Sequence, residues 1–193
     1  MNVMTGNRER LLLAAKELFL EQGYDASVDA IIGRAEVARQ TFYNHFKNKE
    51  CLFAEVIRGC FLEIMAPLNE QPDDFRASLL NFARLYRHKA LGPEGIASYR
   101  TLSGQAQRFP ELVREVYELG AGQMTGRLAG FLREAMEAGR LGETDSVFAA
   151  ELLMAMLVGQ ERSQLLFCVR RPPEDELLRI ERVVDGFLRM FAP

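Results

Sequence analysis

Cysteine and histidine are scarce in this chain of 193 residues: three Cys (Cys51, Cys60, Cys168) without CxxC spacing, and two His (His45, His88) far apart. Ligands so few and so scattered give no disulfide framework and no metal cluster, so no metal and no cofactor is expected. A long apolar run is missing as well. The most apolar stretch, residues 147–158, is broken by Glu151, whereas a spanning helix needs about 18 to 20 apolar residues in succession. No membrane partner is expected. Charges begin at Arg8 and no apolar segment followed by small residues opens the chain, so no secretory signal is visible and cytoplasmic residence is the expectation. The chain also lacks a basic excess: 24 Lys and Arg face 27 Asp and Glu, for a net charge of -3. Taken as an average, that balance speaks against a nucleic-acid coat.

What is present is helical patterning. Hydrophobic residues make up 48% of the chain and recur at three- and four-residue spacings with almost no strand-like alternation, which predicts an all-α protein. The spacing places helices near residues 8–22, 27–35, 39–46 and 48–67, then 75–91, 95–107, 110–138, 145–168 and 173–191. Gly23 is placed to end the first, Ser27 to cap the second and Asn48 the fourth. Pro67 and Pro72 are expected to close the fourth helix, and Pro110 and Pro173 suit first turns. The Pro, Asn, Gln and Asp segment near residue 70 marks the expected boundary between an N-terminal unit, 1–66, and a C-terminal one, 67–193.

Three helices within about 40 residues, the last two joined by Glu36-Val37-Ala38, describe a helix-turn-helix. Ala38, Phe42 and Phe46 form the inward stripe of the third helix. Gln40, Tyr43, Asn44 and Lys47 then fall on the opposite face, with Arg39 and Thr41 at its flanks and His45 nearer the core edge. Arg and Gln make paired hydrogen bonds to base edges, while Thr, Tyr, Asn and Lys hold phosphates or bases. The charge average also hides a local pattern, because residues 39–49 hold Arg39, His45, Lys47 and Lys49 and no acid. Lys49 opens the fourth helix, where free N–H groups and the helix dipole attract a phosphate.

These residues carry a family resemblance. Gly23-Tyr24, Ser27-Val28-Asp29 with Ile31, Arg34-Ala35, and Thr41-Phe42-Tyr43-Asn44-His45-Phe46-Lys47-Asn48-Lys49-Glu50-Cys51-Leu52 resemble the DNA-binding domain of TetR/AcrR-type transcriptional repressors over roughly residues 8 to 65. The remainder is similar in helix number and length, with some likeness around Arg108-Phe109-Pro110-Glu111-Leu112. The resemblance implies a nine-helix homodimer whose last two long helices pair as a four-helix bundle. It also implies an effector pocket in the C-terminal domain and a palindromic double-stranded DNA operator released when effector binds. Carried over residue by residue, it places Ser27, Val28, Arg39, Gln40, Thr41, Tyr43, Asn44, His45 and Lys49 at DNA-contacting positions, and periodicity adds Lys47. The turn departs from the pattern, since Glu36 stands where the family has Gly and Ala38 where it has a small hydroxyl residue. A left-handed Glu36 costs on the order of 1 kcal/mol, and the missing cap about as much again.

Phe82, Tyr86, Tyr99, Leu102, Phe109, Tyr117 and Met124 are the candidate pocket for a small, largely apolar effector, although aromatic stripes of this kind are more often ordinary core. Leu152, Met156, Ile180, Val184, Phe187 and Leu188 are the candidate dimer surface, on helices whose apolar faces are wider than one partner needs. The Arg84 to Lys89 run reads as a solvated face, and Cys51 and Cys60 as thiols on or beside the apolar phase. Gly120, Gly122, Gly126 and Gly130 read as close helix packing or as a softened, movable helix. No nucleophile, base and orienting group form a motif, which disfavours a small all-α enzyme. A helical interaction module without DNA binding is the third reading.

Overall fold

The structure, a computed structural model, describes residues 6–69, 74–169 and 175–193, apart from the side chains of Cys60, Phe61 and Asn69. The expectations at Pro72, Pro173 and the Cys60 thiol lie outside the described residues. Among those residues, α1 (Asn7–Gln22), α2 (Val28–Ala35), α3 (Arg39–His45), α4 (Lys49–Asn69), α5 (Phe75–Leu91) and α6 (Pro93–Gln105) follow in order. They are succeeded by α7 (Pro110–Tyr117), α8 (Gln123–Glu137), α9 (Ser146–Leu166) and α10 (Glu176–Met190). A π turn, Glu118–Gly122, joins α7 to α8. Counting α7, the π turn and α8 as one element gives nine helices among the described residues, so the protein is all-α.

The chain divides into two compact units. The first contains Met1–Gly59 and Ala97–Leu119, so the helix-turn-helix shares its unit with a segment distant in sequence. The second contains Cys60–Ile96 and Gly120–Pro193.

In the first unit, the apolar stripe of α1 (Leu11, Ala15, Leu18, Phe19) is buried along with Ile31, Ala35, Phe42, Phe46, Leu52 and Phe53. Phe19 meets Phe53 edge to face, with ring centres 4.8 Å apart. Gly23 ends α1 at φ 68, a left-handed value glycine adopts without steric penalty. The Ser27 hydroxyl accepts the Ala30 N–H at 3.1 Å to cap α2, and the Asn48 side-chain Oδ1 accepts that of Cys51 at 2.9 Å to cap α4. Pro67 does not close α4: the helix continues through it to Asn69. Cys51 is exposed, one position off the buried phase of Leu52 and Phe53.

In the second unit α5, α8, α9 and α10 enclose one core, centred on Leu79, Phe82, Leu128, Leu132, Leu153, Leu157, Val184 and Phe187. Asp175 caps α10 by accepting the N–H groups of Leu177 and Leu178. Three sequence expectations are corrected here. The helix expected over 110–138 is interrupted by the π turn, and a β-carbon built on Gly126 or Gly130 would meet nothing within 4 Å, so close packing within the chain does not explain those glycines. The run around Arg84 is not wholly solvated, because Arg87 is 1% exposed. Its Nε donates to Glu176 at 2.7 Å, its Nη2 to Glu161 at 2.8 Å, and its Nη1 to the Leu157 carbonyl. That carbonyl lies two residues before Gly159, where α9 kinks at φ 31, ψ -132. The kink interrupts the regular ladder of backbone bonds, and the guanidinium supplies Leu157 with a donor.

Candidate nucleic-acid interface

Helix α3 is short and owes its position to two aromatic anchors. Phe42 is fully buried and Phe46 nearly so, with ring centres 6.0 Å apart, so one side of α3 is fixed against α1 and α2. Arg8 closes over that end, its guanidinium 5.5 Å from the centre of the Phe46 ring and its Nη2 donating to Glu55 at 2.6 Å. The other side of α3 must then face outward. Arg39, Gln40, Tyr43, Asn44 and His45 are exposed there and Thr41 is half-buried; Lys47 is exposed too, but it follows the end of α3 at His45 and so does not share the helix face that periodicity gives it. His45 is therefore on the outer surface and not at the core edge. At the start of α2, Ser27 is exposed and Val28 half-buried.

The turn ahead of α3 has the strained geometry its sequence implies. Glu36 sits at φ 51, ψ 48, in the left-handed region, and Ala38 occupies the cap position of α3 with no side-chain acceptor. Arg10 of α1 stitches the turn from outside, its Nη2 donating to the Glu36 carbonyl at 3.2 Å and to the Glu36 carboxylate at 3.3 Å. Arg34 similarly ties α2 to α1 through Glu17 and Glu21. The Arg34 hydrogen bond holds the Glu21 carboxyl below its ordinary range, opposed by some desolvation.

Several polar groups on the outward face are already engaged. Gln40 Nε2 donates to Asn44 Oδ1 at 3.1 Å along one helix face. Arg39 Nη2 donates to Asp29 Oδ1 at 2.5 Å, and this bond raises the guanidinium above its usual range. Lys49 is half-buried: its Nζ donates to the Tyr24 carbonyl at 2.8 Å and lies 4.2 Å from the centre of the Tyr24 ring. Tyr24 is itself buried, packs edge-on against Phe109 at 5.8 Å and donates its hydroxyl proton to Glu50 at 3.0 Å. Burial, then the Glu50 carboxylate, push that hydroxyl well above the usual tyrosine range. Sequence reasoning missed the roles of Asp29, Arg10 and Tyr24. Asp29 left a sequence trace as an acid in the first turn of a helix, and Tyr24 as part of the Gly23-Tyr24 pair in the family motif; Arg10 left none.

The expected effector residues do not share one unit. Phe82, Tyr86 and Met124 are buried in the second, with Phe82 and Tyr86 stacked nearly parallel at 5.7 Å. Tyr99, Leu102, Phe109 and Tyr117 belong to the first, where Tyr117 is 59% exposed. The second unit also has an open cleft of about 520 Å³ lined by Arg84, Arg87, His88, Leu91, Leu165 and Ile180 among others, none of them an expected effector contact. Of the candidate dimer residues, Ile180, Val184 and Phe187 are buried inside the single chain, which leaves them little area to give a partner, whereas Leu152, Met156 and Leu188 are half-buried. Among the described residues no three His, Cys, Asp or Glu form a metal-binding group, and no helix is long and apolar enough to cross a membrane.

Comparison with known proteins covers both units. Residues 11–56 match the family described as bacterial regulatory proteins, tetR family, and residues 77–193 the one described as AefR-like transcriptional repressor, C-terminal domain. The chain is 29% identical to the uncharacterized HTH-type transcriptional regulator YdgC of Bacillus subtilis strain 168, covering 94% of this chain and 93% of that one. It is 33% identical over 99 residues to the HTH-type transcriptional repressor DhaR of Mycobacterium sp. strain GP1, spanning 46% of DhaR's length. Among solved structures, the Flavonoid-responsive Regulator FrrA is 31% identical with a TM-score of 0.74 and 97% of each chain covered. A regulator from Mesorhizobium loti MAFF303099 shares the fold at a TM-score of 0.82, with 23% identity and full coverage of both chains.

Proposed function

Because the chain belongs to the TetR family of transcriptional regulators, we propose that it is a repressor that binds a palindromic operator as a homodimer and is released by a small, largely apolar effector. One observation carries the DNA-binding reading: Arg39, Gln40, Tyr43 and Asn44 stand exposed on α3 while Phe42 and Phe46 fix its opposite face in the core. A rigid helix presenting base-reading side chains matches a major groove. Ser27, Val28, Thr41, His45, Lys47 and Lys49 frame it as backbone contacts, which set register without reading sequence. We assign the protein no catalytic reaction, and place it in the cytoplasm.

A two-fold dimer would present one reader to each half-site. The proposed interface uses the outer faces of α9 and α10, where Leu152, Met156 and Leu188 are joined by the exposed Phe148 and Leu178. Ile180, Val184 and Phe187 support that face from beneath. For the effector we propose contacts to Phe82, Tyr86 and Met124. The flavonoid response named for FrrA and the aromatic character of Phe82 and Tyr86 both favour a flat, mostly apolar molecule. Release requires only that effector favour a dimer geometry in which the readers no longer match the half-site spacing.

The test is a gel shift on the DNA neighbouring the gene, with random duplex as competitor, repeated with flat aromatic compounds added. A specific complex that such a compound dissolves is the expected result. Equal binding to random duplex would refute the operator reading, and a complex indifferent to every such compound would refute the effector assignment.

A further inference from the structure

The first turn of α2 carries an acid on a surface read here as DNA-facing. Asp29 lies two residues after the Ser27 cap, and its side chain is 70% exposed; Arg39, the first residue of α3, is 62% exposed, and the two are joined at 2.5 Å. Exposed ion pairs of this kind contribute little to stability, and the junction of the two helices is already secured by Phe42, Ile31 and Ala35 in the core and by Arg10 on Glu36. Nor does an uncompensated carboxylate help a protein approach a polyanion. The pair's contribution to the fold therefore does not account for it.

Its effect on Arg39 does. A free arginine side chain samples many rotamers, and holding one for base recognition costs conformational entropy. The Asp29 bond uses one N–H of the guanidinium and leaves the other four donors available, with the charge of the pair cancelled. An arginine so held is poorly suited to anchor phosphate and well suited to meet the two acceptors of a guanine edge. Gln40 is held in the same manner by Asn44, so two of the exposed readers on α3 are oriented by a neighbour before DNA arrives.

We propose that Asp29 is a positioning residue for DNA recognition, orienting Arg39 toward one guanine per half-site without touching a base itself. The proposal rests on the regulator reading above.

The test compares full-length wild type, Asp29→Ala, Asp29→Asn and Arg39→Ala by selection from random duplex DNA and by titration of random duplex at several salt concentrations. Wild type is expected to select an operator, and Arg39→Ala to lose preference at one position per half-site. Asp29→Ala should lose preference at that same position by roughly tenfold. It should also bind random duplex more tightly, with a salt dependence steeper by about one charge per subunit. Asp29→Asn, which keeps an acceptor but no charge, should show the same salt effect and retain more of the preference. An unchanged preference in Asp29→Ala overturns the proposal. So does a change at a different position, which would make Asp29 a direct reader. If wild type itself selects nothing, the regulator reading fails and this proposal with it, an outcome distinct from an Asp29 variant that matches a selective wild type.

Discussion

The ammonium of Lys49 is bound to the carbonyl of Tyr24 at 2.8 Å and sits over the same residue's ring. A lysine at the start of α4 reads from sequence as a phosphate anchor. In the structure it is a clamp on the segment between α1 and α2, and Tyr24 in turn touches Phe109. The two roles are compatible, because an ammonium has three donors and the Tyr24 carbonyl takes one.

For Lys49→Ala we predict weaker binding to all DNA sequences alike, with a salt dependence shallower by about one charge per subunit. Affinity measured across a salt series checks this. An unchanged slope would show that Lys49 braces Tyr24 and does not reach a phosphate.

Tyr24 has its own signature in alkali. Its hydroxyl is raised by burial and by Glu50, so the folded protein prefers the neutral phenol. That contribution to stability is complete below the ordinary tyrosine value of about 10 and is lost as pH rises through the raised folded value. Tyr24→Phe should remove this alkaline loss, at the expense of one hydrogen bond of about 1 kcal/mol at neutral pH. Unfolding free energies at neutral pH and above pH 10 check it, and parallel curves for the two proteins would contradict it.

The turn before α3 lacks a cap at Ala38, and the position, outside the inward stripe where its spacing to Phe42 and Phe46 places it, is exposed with an extended backbone that suits a hydroxyl acceptor. Ala38→Ser should stabilise the protein by about 1 kcal/mol, read from the midpoint of denaturant unfolding. No gain would mean that the N–H groups opening α3 are already satisfied.

Removal of the Arg87 side chain should be far more damaging than loss of a surface cation. Arg87→Ala takes the shared guanidinium from Glu176 and from Glu161, which keeps Arg179 at 3.4 Å, and removes a donor from the Leu157 carbonyl. The expected loss is about 2 to 3 kcal/mol, whereas alanine at the neighbouring exposed Arg84 should change stability by less than about 0.5 kcal/mol. Equal effects would refute the burial argument.

The helices were legible because their apolar spacing, their caps at Ser27 and Asn48 and their stop at Gly23 are local signals. The stripe through Phe42 and Phe46 likewise determined which side of α3 would be outward. Partners distant in sequence were not legible. Arg87 read as solvated because its acids lie 74 and 89 positions away, and the Asp29 pairing depends on how α2 and α3 meet. Pro67 reads as a stop because a proline inside a helix usually is one, and the π turn at Glu118–Gly122 shows in the sequence only as an excess of glycine. Ile180, Val184 and Phe187 illustrate a further limit: an apolar stripe says that a surface is covered, not whether the cover comes from the same chain.

Binding-site selection by the purified full chain from random duplex DNA tests the central claim most directly. The account predicts a palindromic consensus with half-sites spaced by about one turn of the double helix or a multiple of it, and loss of one base preference per half-site in Arg39→Ala. A pool that emerges no different from the starting library, or a consensus that Arg39→Ala leaves intact, would contradict it.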